Sequence, residues 1–434
     1  MTISNTTPVY AVLDENLVPV SDHLSKMMDI PPSRMFLINK SLKVYKEENP
    51  DSPTFDASQG DGGASLPGVP KAILERAAEM QYEHGTHYDM PFGTVAYRES
   101  VIEKYWELDP SLGWGPANVL GTCGGRDALV KAYQAMLALG HSRQGDVIAV
   151  SRVPWISYNW GPYGIGGNVM WSPGEPSEGW AYSEDGIKAS VEFAEKSGRK
   201  ITCLVITNPD NPTGLTTPVD KMVALARYAM EAGVAFVLFD WMYHYVTDEQ
   251  PNDLNSFLKN FTPEERKRLL FLDGLTKSLG ASNIRNCHLL ADESVIKFIV
   301  ARASHTVMPT FYSLAVAMAA YEMGYTEASK TIVEPTNASR VVLKRLLVES
   351  GMQHIIGKGY YAFIEVGEFL RAKGWADSEP LGQYLAENFG VAVVPGAFFS
   401  PFGGDWLRFS YATPTERTRG AFERLVTGLN SLKG

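Results

Sequence analysis

The residues best suited to chemistry follow short apolar runs in the middle of the chain. Residues 201–207 lead into the string Asn-Pro-Asp-Asn-Pro-Thr-Gly at 208–214, whose proline steps and glycine predict a sharply defined turn. The amide of Asn211, held at such a turn, can donate a hydrogen bond into a cleft. An ordinary proline-rich loop is the alternative for a single Asn-Pro step, but the seven-residue string is far more specific.

Two further apolar runs also end in reactive side chains. Asp240 and, three residues later, Tyr243 follow residues 235–239, while Lys277 follows residues 268–272 and precedes Arg285 by eight positions. Taken singly, the aspartate is typical of a helix cap, and the two basic residues are typical of a solvated surface. Because ligands of parallel sheets bind beyond the carboxyl ends of the strands, we expect these side chains to meet there.

These runs belong to an alternation of strands and helices. Buried strands are predicted at 146–150, 201–207, 235–239 and 268–272. Helical spacing is found between them at Leu129, Tyr133, Met136 and Leu137, and again at Met222, Leu225, Tyr228 and Ala229. Such alternation predicts an α/β fold in which a mostly parallel sheet is covered by helices on both faces.

The pattern changes after about residue 310. Helix-rich segments follow, with a strand pair around 391–394 and 406–411 and an amphipathic helix from Thr415. We therefore predict a large domain over residues 56–310 and a smaller α+β domain over 311–434. Residues 1–55 are assigned to the smaller domain as an N-terminal segment whose role stays open.

Composition limits the possible classes of protein. The 434 residues include 45% hydrophobic and 20% charged side chains, with a net charge of −10 scattered along the chain. This predicts a folded two-domain protein and argues against a nucleic-acid partner. The longest apolar stretches are far shorter than the about 20 residues that span a bilayer, and the N-terminus lacks a signal-peptide pattern. The three cysteines form neither a disulfide framework nor a CxxC metal pair, so we expect a cytoplasmic protein without membrane segments or a metal.

In this order, the Asn-Pro-x-Asn-Pro-Thr-Gly string, the Asp-x-x-Tyr pair and the Lys-x7-Arg spacing resemble the aspartate aminotransferase family. These are class I and II pyridoxal phosphate (PLP) enzymes of fold type I, and the matching pieces run from about Tyr88 to Arg408. The resemblance implies a sheet of the seven-stranded type, PLP as cofactor and a homodimer.

The resemblance also implies a role for each residue around the cofactor. Lys277 would hold PLP as a Schiff base and move protons, and Asp240 would pair with the pyridine nitrogen. Asn211 and Tyr243 would hydrogen-bond the phenolic oxygen.

The turn at residues 122–129 resembles the family's glycine-containing entry into a helix. Gly124, Gly125 and Arg126 would bind the cofactor phosphate there, together with Arg285. A plain helix start is the alternative interpretation. The family's usual serine before the lysine is replaced by Gly274, so we expect the hydroxyl of Thr276 or Ser278 to take its place.

The remaining assignments concern aromatic and substrate-binding residues. Trp155 would stack on the pyridine ring, with Trp160 as a competitor and simple core packing as the alternative. Tyr88 resembles the tyrosine that reaches the phosphate of the neighbouring subunit's cofactor. Arg408 would bind the substrate α-carboxylate, helped by Gly60, because a planar guanidinium matches a carboxylate in two hydrogen bonds.

The chain departs from the family pattern at several places. Asn283 and Cys287 replace glycines that usually flank the phosphate-binding arginine, and His288 stands where an aromatic residue is frequent. These changes indicate a divergent branch. His244, beside Tyr243, has two open interpretations, a second acid or base and a purely structural residue.

The leading functional hypothesis is an aminotransferase that moves an amino group between an L-amino acid and a 2-oxo acid in biosynthetic amino acid metabolism. The alternative is another PLP reaction on the same scaffold, namely elimination, decarboxylation or an oxygen-dependent oxidation. A non-catalytic regulator is disfavoured because the first 55 or so residues contain no basic recognition helix. No second arginine can be assigned to a substrate side chain, so the substrate stays open.

Overall fold

The computed structural model describes residues 27–28 and 30–433. In the first part of the chain the elements are α1 (Met35–Glu48), β1 (Phe55–Asp56), α2 (Lys71–His84), α3 (Val95–Ser100), β2 (Val119–Thr122), α4 (Gly125–Leu139), β3 (Val147–Val150), α5 (Ile156–Trp160), β4 (Asn168–Trp171), α6 (Glu184–Lys196), β5 (Ile201–Thr207), α7 (Val219–Glu231), β6 (Phe236–Asp240), α8 (Leu254–Lys259), α9 (Pro263–Arg266), β7 (Leu269–Gly274) and α10 (Leu275–Ser278).

The second part continues with β8 (Cys287–Ala291), α11 (Glu293–Ala303), α12 (Phe311–Met323), α13 (Tyr325–Ser350), β9 (His354–Ile356), β10 (Tyr361–Glu365), α14 (Gly367–Lys373), α15 (Ser378–Phe389), β11 (Val391–Ala392), β12 (Val394–Pro395), β13 (Trp406–Ser410) and α16 (Thr415–Asn430). Among all the described residues, no helix is long and apolar enough to cross a bilayer.

The central element is a seven-stranded sheet with the order β2-β8-β7-β6-β5-β3-β4. Strand β8 is antiparallel to both of its neighbours, and the other strands run in one direction. The predicted α/β fold with a mostly parallel sheet is therefore confirmed. Strand β5 has the predicted bounds, whereas β3, β6 and β7 differ from the prediction by one or two residues.

The sheet is apolar on both faces because helices cover both. Along β6, Val237 and Phe239 join one hydrophobic core, and the alternate residues Phe236 and Leu238 join the other. Helix α7 packs into the first core and α4 into the second. Fully buried strands of this kind need no polar face, which explains their continuous apolar sequences.

A four-stranded antiparallel sheet, β12-β13-β10-β9, lies in the C-terminal part. The N-terminal part joins this region, since β1 pairs with β11 and Ser41 in α1 donates a 3.1 Å hydrogen bond to Glu387 in α15. Helix α12 instead packs into a core of the large sheet. The domain boundaries proposed from sequence remain a prediction.

Gly214 and Gly374 have similar positive φ angles, and comparing substitutions at the two positions tests how tightly the motif at 208–214 packs. Gly214 has a φ of +74°, and a Cβ there would lie 2.1 Å from the carbonyl oxygen of Tyr361. Gly374, with a φ of +68°, has open space around it. We expect Gly374→Ala to lower the free energy of unfolding by about 1 to 2 kcal/mol, the cost of the left-handed backbone. Gly214→Ala adds a steric clash and should cost roughly 3 kcal/mol or more in urea denaturation. Equal losses for both variants would contradict this packing.

Candidate active site

A cavity of about 440 Å³ lies at the carboxyl ends of β5, β6 and β7. It gathers most of the residues predicted from the sequence: Gly60, Gly125, Arg126, Trp155, Asn211, Asp240, Tyr243, Thr276, Lys277, Arg285 and Arg408. The rule that ligands bind beyond the ends of parallel strands thus describes where these side chains meet.

Asp240, the last residue of β6, is a buried carboxylate at the floor of this cavity. It accepts hydrogen bonds from the Tyr158 hydroxyl at 2.5 Å and from the backbone N–H of Met242 at 3.1 Å. Burial outweighs these bonds and raises the pKa of Asp240 to about 6. A cationic N–H group placed beside Asp240 would offset the cost of its buried charge.

Lys277 lies in α10, directly after β7, and its Nζ donates to the carbonyl oxygen of Gly60. Burial lowers the pKa of Lys277, and the neighbouring Tyr361 and Asp61 oppose that shift in part. The Tyr360 hydroxyl donates to the backbone carbonyl of Lys277 and fixes the short helix. A lysine with a lowered pKa is more easily neutral and therefore nucleophilic.

The start of α4 and two guanidinium groups form an anion cradle, which we define as Gly124, Gly125, Arg126 and Arg285. A Cβ on Gly124 would lie 2.3 Å from Nη2 of Arg285, and the φ of +88° at this position also favours glycine. The pKa of Arg126 is lowered by burial and by the positive charge of Arg285. Neither arginine pairs with a carboxylate within the described residues, so the cradle has an excess of positive charge that suits a phosphate.

Arg408, in β13, is buried and lines the same cavity. Its Nη1 donates to the Asn211 amide oxygen at 2.9 Å, and its Nη2 donates to the carbonyl of Ser58 at 2.8 Å. Because a guanidinium only donates, the Asn211 oxygen must face Arg408, which leaves the amide NH₂ to donate elsewhere. Nε of Arg408 is buried without a hydrogen-bond partner in the described chain, so this arginine retains an unused donor.

The sequence left two choices open, Trp155 or Trp160 for the stacking ring and Thr276 or Ser278 for the hydroxyl. Trp155 lines the cavity, with its ring perpendicular to Tyr158 at 5.3 Å, whereas Trp160 lines a neighbouring cavity of about 780 Å³. Thr276 also lines the main cavity. Ser278 is fully buried and hydrogen-bonds the Tyr325 hydroxyl at 2.6 Å, so its side chain points elsewhere.

His244 is not among the residues that line the cavity. Its Nδ1 lies 2.9 Å from a carboxylate oxygen of Asp273, and its ring stacks on Trp106 at 5.0 Å. Nearby, burial lowers the pKa of His288 to about 4, which suits its role as the acceptor of a 2.9 Å hydrogen bond from Trp106. The contacts of His244 with Asp273 and Trp106, away from the cavity, favour its structural interpretation.

Tyr88 is 91% exposed and does not line the cavity of its own chain. It lies between His87 and Asp89, which together with His84 bring three possible metal-ligand atoms within 4.8 Å of one another. Nε2 of His84 lies 2.8 Å from Oδ1 of Asp89, within hydrogen-bond distance. The expectation of a metal-free protein therefore remains a prediction.

Several residues of the cavity were not predicted as site residues from the sequence, among them Asp61, Tyr158, Ser282, Tyr361 and Phe399. Tyr158 had a sequence signal, because it follows Trp155 by three residues. Tyr361 had none, because β10 carries no motif and its partners are distant in the chain.

Comparison with known proteins agrees with this geometry. The sequence model described as aminotransferase class I and II matches residues 55–425. The chain belongs to the aminotransferase class I and II family. It is 24% identical over 402 residues to an aspartate aminotransferase of Geobacillus stearothermophilus, covering 92% of this chain and 97% of that protein. It is 26% identical over 407 residues to an aspartate/prephenate aminotransferase of Thermus thermophilus, covering 92% of this chain and 97% of the relative.

Solved structures of this family share the fold. The Thermus thermophilus aspartate aminotransferase with maleate superimposes with a TM-score of 0.77 at 24% sequence identity, covering 93% of this chain and 98% of that chain. This similarity confirms the predicted fold type I architecture, and membership of the family confirms the PLP cofactor and the aminotransferase activity. The low identity fits a divergent branch. The alternative reactions gain no support from the comparisons. The roles of individual residues remain predictions.

The buried carboxylate gives a pH-dependent prediction for the cofactor-free protein. Because the pKa of Asp240 is about 6 in the fold and near 3.8 otherwise, the unfolded chain ionises first as the pH rises. Wild-type stability should therefore fall relative to Asp240→Asn between about pH 4 and pH 6, by up to roughly 3 kcal/mol. Urea denaturation of both proteins at several pH values measures this difference. A difference that stays constant with pH would contradict the burial of a charged group here.

Proposed function

We propose that the cavity binds PLP on Lys277 and transfers an amino group between an L-amino acid and a 2-oxo acid. One observation carries the proposal, namely that an amine with a lowered pKa, a buried carboxylate and an anion cradle converge on a single cavity of about 440 Å³. These groups match the aldehyde, the pyridine nitrogen and the phosphate of one cofactor.

Bound PLP supplies an electron sink that lets a bond at the Cα of an amino acid break. Lys277, whose pKa burial lowers, would hold the cofactor through its amine and later move the proton at the substrate Cα. Asp240 would pair with the pyridine nitrogen, and its negative charge would favour the protonated form of that nitrogen. Asn211 and Tyr243 donate to the phenolic oxygen.

The anion cradle holds the phosphate by two backbone N–H groups at the start of α4 and by two guanidinium groups. Thr276 lines the same cavity and can add a hydroxyl donor. Trp155 lines the cavity, with its ring centre 5.5 Å from the guanidinium carbon of Arg126 and 5.3 Å from the ring of Tyr158, and it would stack on the pyridine ring.

Arg408 would bind the substrate α-carboxylate through the guanidinium hydrogens that Asn211 and Ser58 leave free, and Gly60 would leave room for the substrate beside Lys277. A Cβ at position 60 would lie 2.7 Å from the Tyr361 hydroxyl and 3.9 Å from Nζ of Lys277. A side chain there would therefore obstruct the space in which the amino group reacts.

We also propose a homodimer in the cytoplasm. Large apolar side chains that are unusually exposed occur near the end of α2 and in the loop after it, namely Tyr82, Tyr88 and Met90. A second copy would cover this surface and bring Tyr88 to the partner's cofactor phosphate. The three cysteines are free, which suits a reducing compartment.

The central test loads the protein with PLP and adds single L-amino acids without an acceptor. We expect the visible absorbance to bleach and one equivalent of 2-oxo acid to form, without ammonia or carbon dioxide. Lys277→Ala should lose both the characteristic absorbance and turnover, because no other amine lies at that position. Release of ammonia or carbon dioxide would instead point to a different PLP reaction, and retained turnover in the variant would exclude the assignment of Lys277.

The role of Arg408 has its own test. Arg408→Lys keeps a positive charge but loses the planar pair of donors, so kcat/KM for amino acids should fall by about 10- to 100-fold. Reaction with an amine that lacks a carboxylate should change much less. Equal losses for the two substrates would show that the variant damages the site in general.

A further inference from the structure

Tyr361, the first residue of β10, places a second phenol beside Tyr243. The two hydroxyl oxygens are 2.9 Å apart, and the rings meet at 5.6 Å with an interplanar angle of 69°. Tyr361 is 1% exposed and lines the cavity. None of the roles assigned above uses this hydroxyl.

Strand pairing and packing fix the Tyr361 ring. Tyr361 pairs with Ser410 in the β10–β13 ladder, so it shares a sheet face with Arg408, two residues before Ser410. The guanidinium carbon of Arg408 lies 4.2 Å from the centre of the Tyr361 ring, a cation–π distance. The hydroxyl extends to Gly60, where a Cβ would lie 2.7 Å from it. The ring therefore has little freedom to turn its hydroxyl away from Tyr243.

The direction of the hydrogen bond between the two phenols follows from counting protons. Burial raises the pKa of Tyr243 well above its ordinary value, so this residue is a neutral phenol with one proton. That proton cannot be donated both to the phenolic oxygen of PLP and to Tyr361. If Tyr243 donates to the cofactor, Tyr361 must donate to Tyr243.

We propose that Tyr361 is a positioning residue whose hydroxyl donates to Tyr243 and strengthens the hydrogen bond that Tyr243 gives to bound PLP. The inference rests on the proposed function, in which Tyr243 donates to the phenolic oxygen. A phenol that accepts a hydrogen bond becomes a stronger donor, because each bond in a chain polarises the next. The pair therefore stabilises the deprotonated phenolic oxygen and makes the nitrogen that joins Lys277 to PLP less basic.

The experiment measures the pKa of that nitrogen in the PLP-loaded protein by its visible absorbance as a function of pH. Tyr361→Phe removes one oxygen atom and keeps the ring on Arg408. We expect the pKa to rise by about 0.1 to 0.6 pH unit, because polarisation strengthens a hydrogen bond to a charged oxygen by roughly 10 to 30%. An unchanged pKa in Tyr361→Phe would overturn the inference.

Tyr411→Phe is the matched control. Tyr411 directly follows β13 and is also a fully buried phenol, but it does not line the cavity and its hydroxyl has no hydrogen-bond partner among the described residues. We expect this variant to leave the pKa of the nitrogen unchanged, since it removes no donor from Tyr243. A shift as large as that of Tyr361→Phe would also overturn the inference.

A double-mutant cycle tests whether Tyr361 acts through Tyr243. Tyr243→Phe should raise the pKa of the nitrogen more than Tyr361→Phe does, and adding Tyr361→Phe to it should cause no further rise. A full additional shift in the double variant would mean that Tyr361 acts on Lys277 directly. Failure of wild type to form any visible band with PLP would instead refute the proposed function, so the two failures are distinguishable.

Discussion

The hydrogen-bonded register of three parallel strands determines where the chemistry of this protein takes place. Thr207 at the end of β5 lies level with Asp240 on β6, and Asp240 lies level with Leu272 on β7. The turns that follow these strands therefore bring Asn211 and Lys277 to the same edge of the sheet. A slip of one residue would turn the Asp240 side chain into the hydrophobic core, where its charge would have no partner. The apolar residues that hold this register thus fix the site as firmly as the polar residues that form it.

The site itself combines groups whose charges are individually unfavourable. Burial raises the pKa of Asp240 and lowers those of Lys277 and Arg126, so the charged form of each is less favourable in the cofactor-free cavity than in water. A single ligand with a phosphate, a pyridine nitrogen and an aldehyde would relieve all three at once. The free energy of folding offsets the unfavourable burial of these charges, so the groups need little reorganisation when the ligand enters.

The sequence was most informative where chemistry directly follows a strand. Strand β5 is an unbroken apolar run that ends in an Asn-Pro step, and both of its bounds were predicted correctly. The antiparallel strands β2 and β8 are short and carry Gly121 and His288, so neither shows a clear period. Tyr361 contacts Tyr243 from 118 positions away, a separation that no local pattern encodes. The role of His244 likewise could not be decided from the sequence, because its partner Asp273 comes from a neighbouring strand.

The anion cradle has a practical consequence for the handling of this protein. Its donors are two guanidinium groups and the start of a helix, which recognise charge and oxygen geometry rather than the remainder of a molecule. Inorganic phosphate and sulfate offer the same oxygens and compete with the cofactor for the same donors. Reconstitution is therefore best carried out in a buffer without either anion, and the apparent affinity for the cofactor will depend on how much of them a preparation retains.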